Sequence, residues 1–169
     1  ERASVLACES RDDFRRFGSM SGDFIAPIQI VNLFVVDSDF HIEDSPSDNM
    51  ELKVDVSYQD VHLWKNGNDA RASLKMCVIG SLLDRDEGAQ EKMHSGVTVS
   101  ISVSAQMPMN SPDDEARHYL LSNAISMAYA HAKSYLMVVT GLSPMGALTL
   151  PAILPAELSA DCDVPFQSE

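Results

Sequence analysis

The apolar residues of this chain change their spacing once, and that change constrains the fold more than any other feature. Between residues 97 and 107 every second residue is apolar, and the residues between them are Thr, Ser and Gln. From Leu120 to Val139 the apolar residues instead recur at three- and four-residue intervals. The first spacing indicates a strand with one buried face, and the second indicates a helix. The sequence therefore predicts strands followed by one long helix.

Three further strands are predicted before this point. In residues 28–35 both alternating sets are largely apolar, so this strand should be covered on both sides or be long and bent. One of its faces would carry Ile28, Ile30, Asn32 and Phe34. Residues 51–58 alternate, and their apolar phase shifts at residues 59–60, which predicts a β-bulge. The Asn-Gly pair at residues 66–67 predicts a tight turn, and a third strand follows over about residues 72–82.

The helix is predicted to run from Pro112 to Thr140, with Ser111 as its N-cap and Gly141 just past its end. At ~1.5 Å per residue it would be about 43 Å long. That is long for a domain of this size, so its exposed half needs cover, and oligomerisation is the simplest source of it.

The fold class is therefore α+β: a four-stranded antiparallel sheet, one long helix, and a short Pro-rich C-terminal segment. Prolines 144, 151 and 155 interrupt an apolar stretch, which leaves room only for a short helix near residues 156–160. We expect an N-terminal arm over residues 1–23, a single domain over 24–160 and a C-terminal tail over 161–169.

Charge excludes several classes of partner. Lys and Arg total 12 against 25 Asp and Glu, a formal net charge of −13. Such a surface repels phosphate backbones and anionic lipid, so we expect neither nucleic-acid binding nor membrane insertion. The three cysteines are widely spaced, with no C-x-x-C pair. This usage fits a reducing compartment, so a cytoplasmic location is expected. Cys77, within an apolar run, is expected to be buried.

The sequence has no motif that identifies a catalytic or metal-binding site, so we do not expect an enzyme. Asp113, Asp114, Glu115 and His118 could suggest a metal cluster, but acidic residues are also favoured in a first helical turn. Ser100, Ser102 and Ser104 lie on a regular strand without a nucleophile elbow, and we expect them to face solvent. No phosphate-binding glycine motif occurs. Nine methionines remain, a residue type that suits either core filling or varied apolar partners.

With these elements placed, the chain resembles the SecB family of export chaperones and their SecB-like relatives. The resemblance spans roughly residues 24–158. The matching parts are residues 28–31 leading to 37–40, the strand 51–58, and residues 121–155, in which a Thr-Gly ends the helix and a Leu-x-Leu-Pro turn follows.

The resemblance implies a cytoplasmic homotetramer, built as a dimer of dimers, that needs no cofactor. Unfolded or secretory preprotein chains would lie in long apolar grooves between the sheet, the crossover loop and the second helix. Binding them would delay folding and aggregation without ATP. On this basis the expected client contacts are Phe40, Met50, Leu52, Val54, Leu63, Trp64, Leu142 and Met145.

Two departures from the family pattern bear on its partners. Many export chaperones end in a Cys/His zinc-binding tail that engages the translocase motor, whereas the segment here has Cys162 alone. Of the acidic patch on the open sheet face, only Asp37 matches, since strand four offers Ser100 and Ser102. Both departures argue against docking on the motor.

Three functions are therefore open. The first is a general holdase. The second is a dedicated SecB-like partner protein with one fixed client, such as an antitoxin chaperone or an assembly scaffold. The third is a hot-dog-type thioesterase, which is disfavoured because the central helix of that fold precedes most strands.

Overall fold

A computed structural model describes residues 28–41, 50–84, 92–109, 112–143 and 146–168. The predicted N-terminal arm, residues 42–49, residues 85–91, Ser111 and Met145 lie outside the described residues. The elements are β1 (Gln29–His41), β2 (Met50–Asn66), β3 (Asp69–Asp84), β4 (Lys92–Pro108), α1 (Asp113–Thr140), α2 (Pro155–Ala160) and β5 (Gln167–Ser168).

The sheet has the order β1-β4-β3-β2-β5. Its first four strands pair antiparallel, and β5 pairs parallel with the end of β2. The prediction of a purely antiparallel four-stranded sheet is therefore wrong in one respect. The fifth strand is only two residues long, too short to leave a periodic pattern in the sequence.

One face of the sheet carries the core, because α1 packs across β4 and β3 and reaches β1. The alternation of β4 is confirmed: Val97, Val99, Ile101 and Val103 are each at most 1% exposed. Leu120, Ala124, Ala128 and Leu136 are among the helix residues that meet this face and are fully buried. The face turned away from α1, here called the open face, has no described element covering it.

Two local predictions for β2 and β3 are confirmed. The pairing of β2 with β3 shifts register between Gln59 and His62, and Asp60 adopts a φ of 54° in the bulge. The hairpin turns at Gly67, whose φ of 60° suits a residue without a Cβ.

The predicted phase of β1 is wrong beyond Ile30. Its pairing with β4 shifts between Ile30 and Asn32 and again between Val35 and Asp37. Each bulge moves the following side chains to the other face. The residues that pack against the core are consequently Ile28, Ile30, Leu33, Val35 and Phe40, while Phe34 is 52% exposed. The strand is 13 residues long and carries two bulges, which fits the expectation of a long, bent strand.

Two expectations about the centre of the sheet need correction. Ser100 is 8% exposed, not solvent-facing, and its cross-strand partners are Asp37 on β1 and Cys77 on β3. A small side chain in a central strand is shielded by its neighbours. Cys77 is only half-buried, because it alternates with Met76 and Val78 and so lies on the open face.

The helix begins one residue later than predicted. Pro112 is the N-cap, with a ψ of 153° that is not helical, and its carbonyl accepts the first helical hydrogen bond from Ala116. Gly141 caps the other end with a φ of −59°, so it is not the left-handed residue that a glycine there suggested. The short helix expected near residues 156–160 is confirmed as α2.

Candidate functional site

An apolar groove lies between β2 and the segment that returns from α1. Its volume is about 490 Å³. Leu154 is 63% exposed there, although it is a large apolar residue. The lining residues are Val54 and Val56 from β2, with Ala152, Ile153, Leu154, Glu157 and Leu158 from the returning segment.

The returning segment is held in place by buried contacts with α1. The hydroxyl of Thr140, fully buried, donates to the carbonyl of Leu136 and accepts from the backbone N–H of Leu148, both at 2.7 Å. Further along, the Tyr129 hydroxyl donates to the carbonyl of Pro151 at 2.7 Å. Burial raises the pKa of Tyr129 above its ordinary value. These bonds fix the path that leads to Leu154.

A tyrosine on β2 ties the far wall of the groove to the sheet. The Tyr58 hydroxyl donates to the carbonyl of Leu158 at 2.9 Å. Burial is the main reason that the pKa of Tyr58 is raised, and the neighbouring Cys162 and Asp161 raise it further. On the other side of α2, the Ser159 hydroxyl lies 3.3 Å from Nδ1 of His118 on α1. The short α2 is thereby held between α1 and β2.

The edge of the sheet runs alongside this groove. Within the described residues, no strand pairs with the outer side of β2 from Leu52 to Leu63, and β5 begins only opposite Trp64. An unpaired strand edge offers backbone donors and acceptors to an added chain. An extended polypeptide could therefore pair with β2 and place alternate side chains in the apolar groove.

The residues expected to contact a client lie in separate parts of the structure. Leu52 and Val54 are half-buried on the face of β2 that leads into the groove, and Met50 precedes them at the start of the strand. Leu142 is 91% exposed just beyond α1. Met145 lies outside the described residues.

The other expected contacts do not join the groove. Leu63 is fully buried in the core. Phe40 points toward α1, where its ring centroid lies 6.4 Å from that of Tyr135. Trp64 lies on the open face, stacked on His62 at 5.7 Å and beside a pocket of about 190 Å³. The bulge at residues 59–60 separates Trp64 from Leu52 and Val54, because it reverses the phase of the strand.

Sequence reasoning missed the wall of the groove that follows Pro151. The sequence places Ile153 and Leu154 in an apolar stretch and Leu158 in a short helix, and it assigns none of the three to a face. Their spacing around Pro155 offers neither a strand nor a long-helix pattern. The available signal was the density of apolar residues between two prolines, which prevents the stretch from burying itself in a regular element.

Asp37, the expected acidic partner residue, is exposed on β1 opposite Ser100. Among the described residues, no three His, Cys, Asp or Glu side chains are grouped so as to hold a metal ion. The acidic side chains in the first turn of α1 form ion pairs with basic side chains. Asp113 pairs with Lys65, and Asp114 pairs with Arg117 at 3.0 Å. Neither helix of the described chain is long and apolar enough to cross a membrane.

A second apolar surface lies on the side of α1 that faces away from the sheet. Met127, Met137 and Val138 are 43%, 45% and 66% exposed there. Small exposed residues, Ser126, Ala130 and Ser134, follow the same side at four-residue intervals. A groove of about 260 Å³ separates this side of α1 from the returning segment. We call this surface the helix face.

Comparison with solved structures finds chains that are similar in fold. The Mycobacterium tuberculosis Rv1957 SecB-like chaperone, in complex with a ChAD peptide from the Rv1956 HigA1 antitoxin, is similar over 75% of this chain and 91% of its own, with a TM-score of 0.54 and 11% identity. A Streptococcus agalactiae protein of unknown function is similar over 74% of this chain and 97% of its own, with a TM-score of 0.40 and 12% identity. No protein-family model and no curated protein matches the chain. The chain therefore shares the fold of a SecB-like chaperone.

Proposed function

We propose that this protein is an ATP-independent chaperone that holds extended, unfolded polypeptide segments in the groove beside β2. The groove itself is the observation that carries the proposal. It combines exposed apolar side chains with an adjacent strand edge, so apolar contact and backbone pairing are available together. Neither requires a particular client sequence, and the two together suit chains that have not yet folded.

The client contacts proposed here differ from the set expected from sequence. Val54 and Val56 on one wall face Ile153, Leu154 and Leu158 on the other, and Leu52 precedes them on the same side of β2. Met50, at the start of β2, and Leu142, exposed just beyond α1, stay in the proposed set. Leu63 is fully buried and Phe40 packs toward the helix, so we leave both out.

The helix face supports an oligomer, with a homotetramer in the cytoplasm as the proposed form. Between Asn123 and Thr140 the helix has no acidic residue, and its basic residues are His131 and Lys133. Its exposed small residues would let a second helix approach closely, and the methionines and Val138 would then be covered. Such contact leaves the groove beside β2 accessible, since the groove and the helix face lie on different sides of the returning segment.

A dedicated partner with one client is the second candidate. The similar mycobacterial chaperone is in complex with a peptide from an antitoxin, which supports binding of a polypeptide client by this fold. The two candidates differ in breadth of selection. Competition among unrelated unfolded peptides would show similar affinities for a general holdase and one dominant affinity for a dedicated partner.

The test compares Leu154→Ser with wild type. Burying an exposed Leu contributes about 2 kcal/mol when complete, and Leu154 is 63% exposed. The variant should therefore lose about 1.3 kcal/mol, or roughly tenfold in affinity for a fluorescein-labelled 20-residue peptide of Leu, Phe, Ser and Thr. It should also suppress aggregation of a chemically unfolded enzyme less well.

Ile79→Ser is the matched control, because Ile79 is 39% exposed but lies on the open face. It should bind the peptide as wild type does. Equal loss in both variants would place the binding elsewhere, and absence of binding by every full-length form of the protein would remove the proposed function.

A further inference from the structure

Residues 162–168 belong to the C-terminal segment predicted over 161–169 and lie along the same side of β2 as the groove; they are called the tail below. Cys162, Val164 and Phe166 are half-buried against the core, and the residues between them, Asp163 and Pro165, are exposed. This is the alternation of a strand added to a sheet. The tail then pairs parallel with β2, Gln167 opposite Trp64 and Ser168 opposite Lys65.

Side chains of β2 recognise the tail in two ways. Cys162 is close enough to the Tyr58 hydroxyl to contribute to the raised pKa of Tyr58. The Lys65 ammonium lies 5.1 Å from the centroid of the Phe166 ring, a cation–π distance. The tail thus has the features expected of a client: an extended backbone, alternate apolar side chains and pairing with the strand edge.

The attachment of the tail is weak. Its backbone ladder covers only two residues, and Gln167 and Ser168 are both exposed. No described strand holds its outer side. A two-residue ladder gains little to offset the entropy of ordering the chain, so the tail can be released without unfolding the rest.

The tail also stands in the path of a longer client. The groove faces Val54 and Val56, and Tyr58 is the next residue on the same side of β2. An extended segment rises ~3.3 Å per residue, so one of about ten residues would run from the groove to the position now held by Phe166. That segment and the tail cannot both pair with the strand.

We propose that the tail is a built-in occupant of the polypeptide site, which extended apolar clients must displace. This proposal rests on the proposed function. It adds that the tail is itself a ligand of the polypeptide site and that the site selects clients by their length. Short apolar segments would fill the groove without disturbing the tail. Longer unfolded segments would gain the full edge of β2 but compete with Val164 and Phe166.

The experiment measures binding of the labelled 20-residue peptide to three full-length proteins. Val164→Ser/Phe166→Ser weakens the docked tail, so the peptide should bind more tightly, by about tenfold if the tail is docked about 90% of the time. Asp163→Asn/Gln167→Ser alters two outward residues of the tail and is the matched control. It should bind as wild type does.

The outcomes separate the two proposals. If wild type binds the peptide and Val164→Ser/Phe166→Ser binds it equally or less well while still folded, the tail is not a competitor and the proposed function stands. If none of the three proteins binds, both proposals fail. Binding by Val164→Ser/Phe166→Ser alone would support the tail as a tight occupant.

A second measurement covers the case in which Val164→Ser/Phe166→Ser does not fold. A synthetic peptide of residues 160–168 is added to the wild-type complex with the labelled probe. It is used at millimolar concentration, because an attached segment acts at about that effective concentration. Displacement of the probe, absent when both residues 164 and 166 of the synthetic peptide are Ser, supports the proposal. Failure to displace it overturns the proposal.

Discussion

The helix face offers the sharpest test of self-association, through the change Met137→Ser/Val138→Ser. Complete burial of a Met or Val side chain contributes about 2 kcal/mol. Scaled by their exposed fractions of 45% and 66%, covering Met137 and Val138 would contribute about 0.9 and about 1.3 kcal/mol. In a two-fold symmetric contact each residue counts twice, so the variant should lose about 4.4 kcal/mol.

That loss corresponds to about three powers of ten in the association constant. Sedimentation velocity over a wide range of protein concentration should show an oligomer for wild type and a smaller species for Met137→Ser/Val138→Ser. Circular dichroism should show the same helix content in both, since neither residue contributes to the buried core. Ile79→Ser, on the open face, is the control and should sediment as wild type does.

Two results would refute this reasoning. Wild-type protein that sediments as a single subunit at every concentration would mean that the helix face is not covered by a second copy. An oligomer that survives Met137→Ser/Val138→Ser unchanged would mean that the contact lies elsewhere, with β1 as the next edge to examine.

Two further predictions concern the hydroxyl groups that hold the returning segment. The pKa values of Tyr58 and Tyr129 are raised, so each holds its proton more tightly in the folded chain than in the unfolded chain. The free energy of unfolding should therefore be unaffected below about pH 10 and fall above it. Urea unfolding between about pH 8 and about pH 11 should show a less steep fall for Tyr58→Phe/Tyr129→Phe than for wild type. A decline of equal steepness in that variant would contradict this assignment. Thr140→Val removes a buried hydroxyl and leaves the N–H of Leu148 without its hydrogen-bond acceptor. This should lower the free energy of unfolding by about 2 kcal/mol. Thr149→Val, at an exposed position, should leave thermal stability nearly unchanged. Equal stability of the two threonine variants would show that the Thr140 bond is not needed.

Local signals predicted most of the elements because they depend on neighbours in the chain. The Asn-Gly turn, the bulge at residues 59–60, the alternation of β4 and the break imposed by Pro155 each follow from backbone geometry or from a period of two. Where the backbone itself departs from a regular period, as at the two bulges of β1, the same signals misplaced the side chains. The extra residues at those bulges are Val31 and Val36, which are strand formers and do not mark a bulge.

The amino-acid sequence by itself determined that this chain would form strands and then one long helix. It also determined that apolar residues would lie on more than one side of that helix. Only the tertiary structure decided which of those residues form a site. Val54 meets Leu154 and Leu158 across about a hundred residues of chain, and Trp64 is turned away from them by a single bulge. The pairing of the tail with β2 is likewise a contact between distant segments. Periodicity reports the buried face of one element, whereas a groove depends on which two elements meet, and that is set by packing over the whole domain.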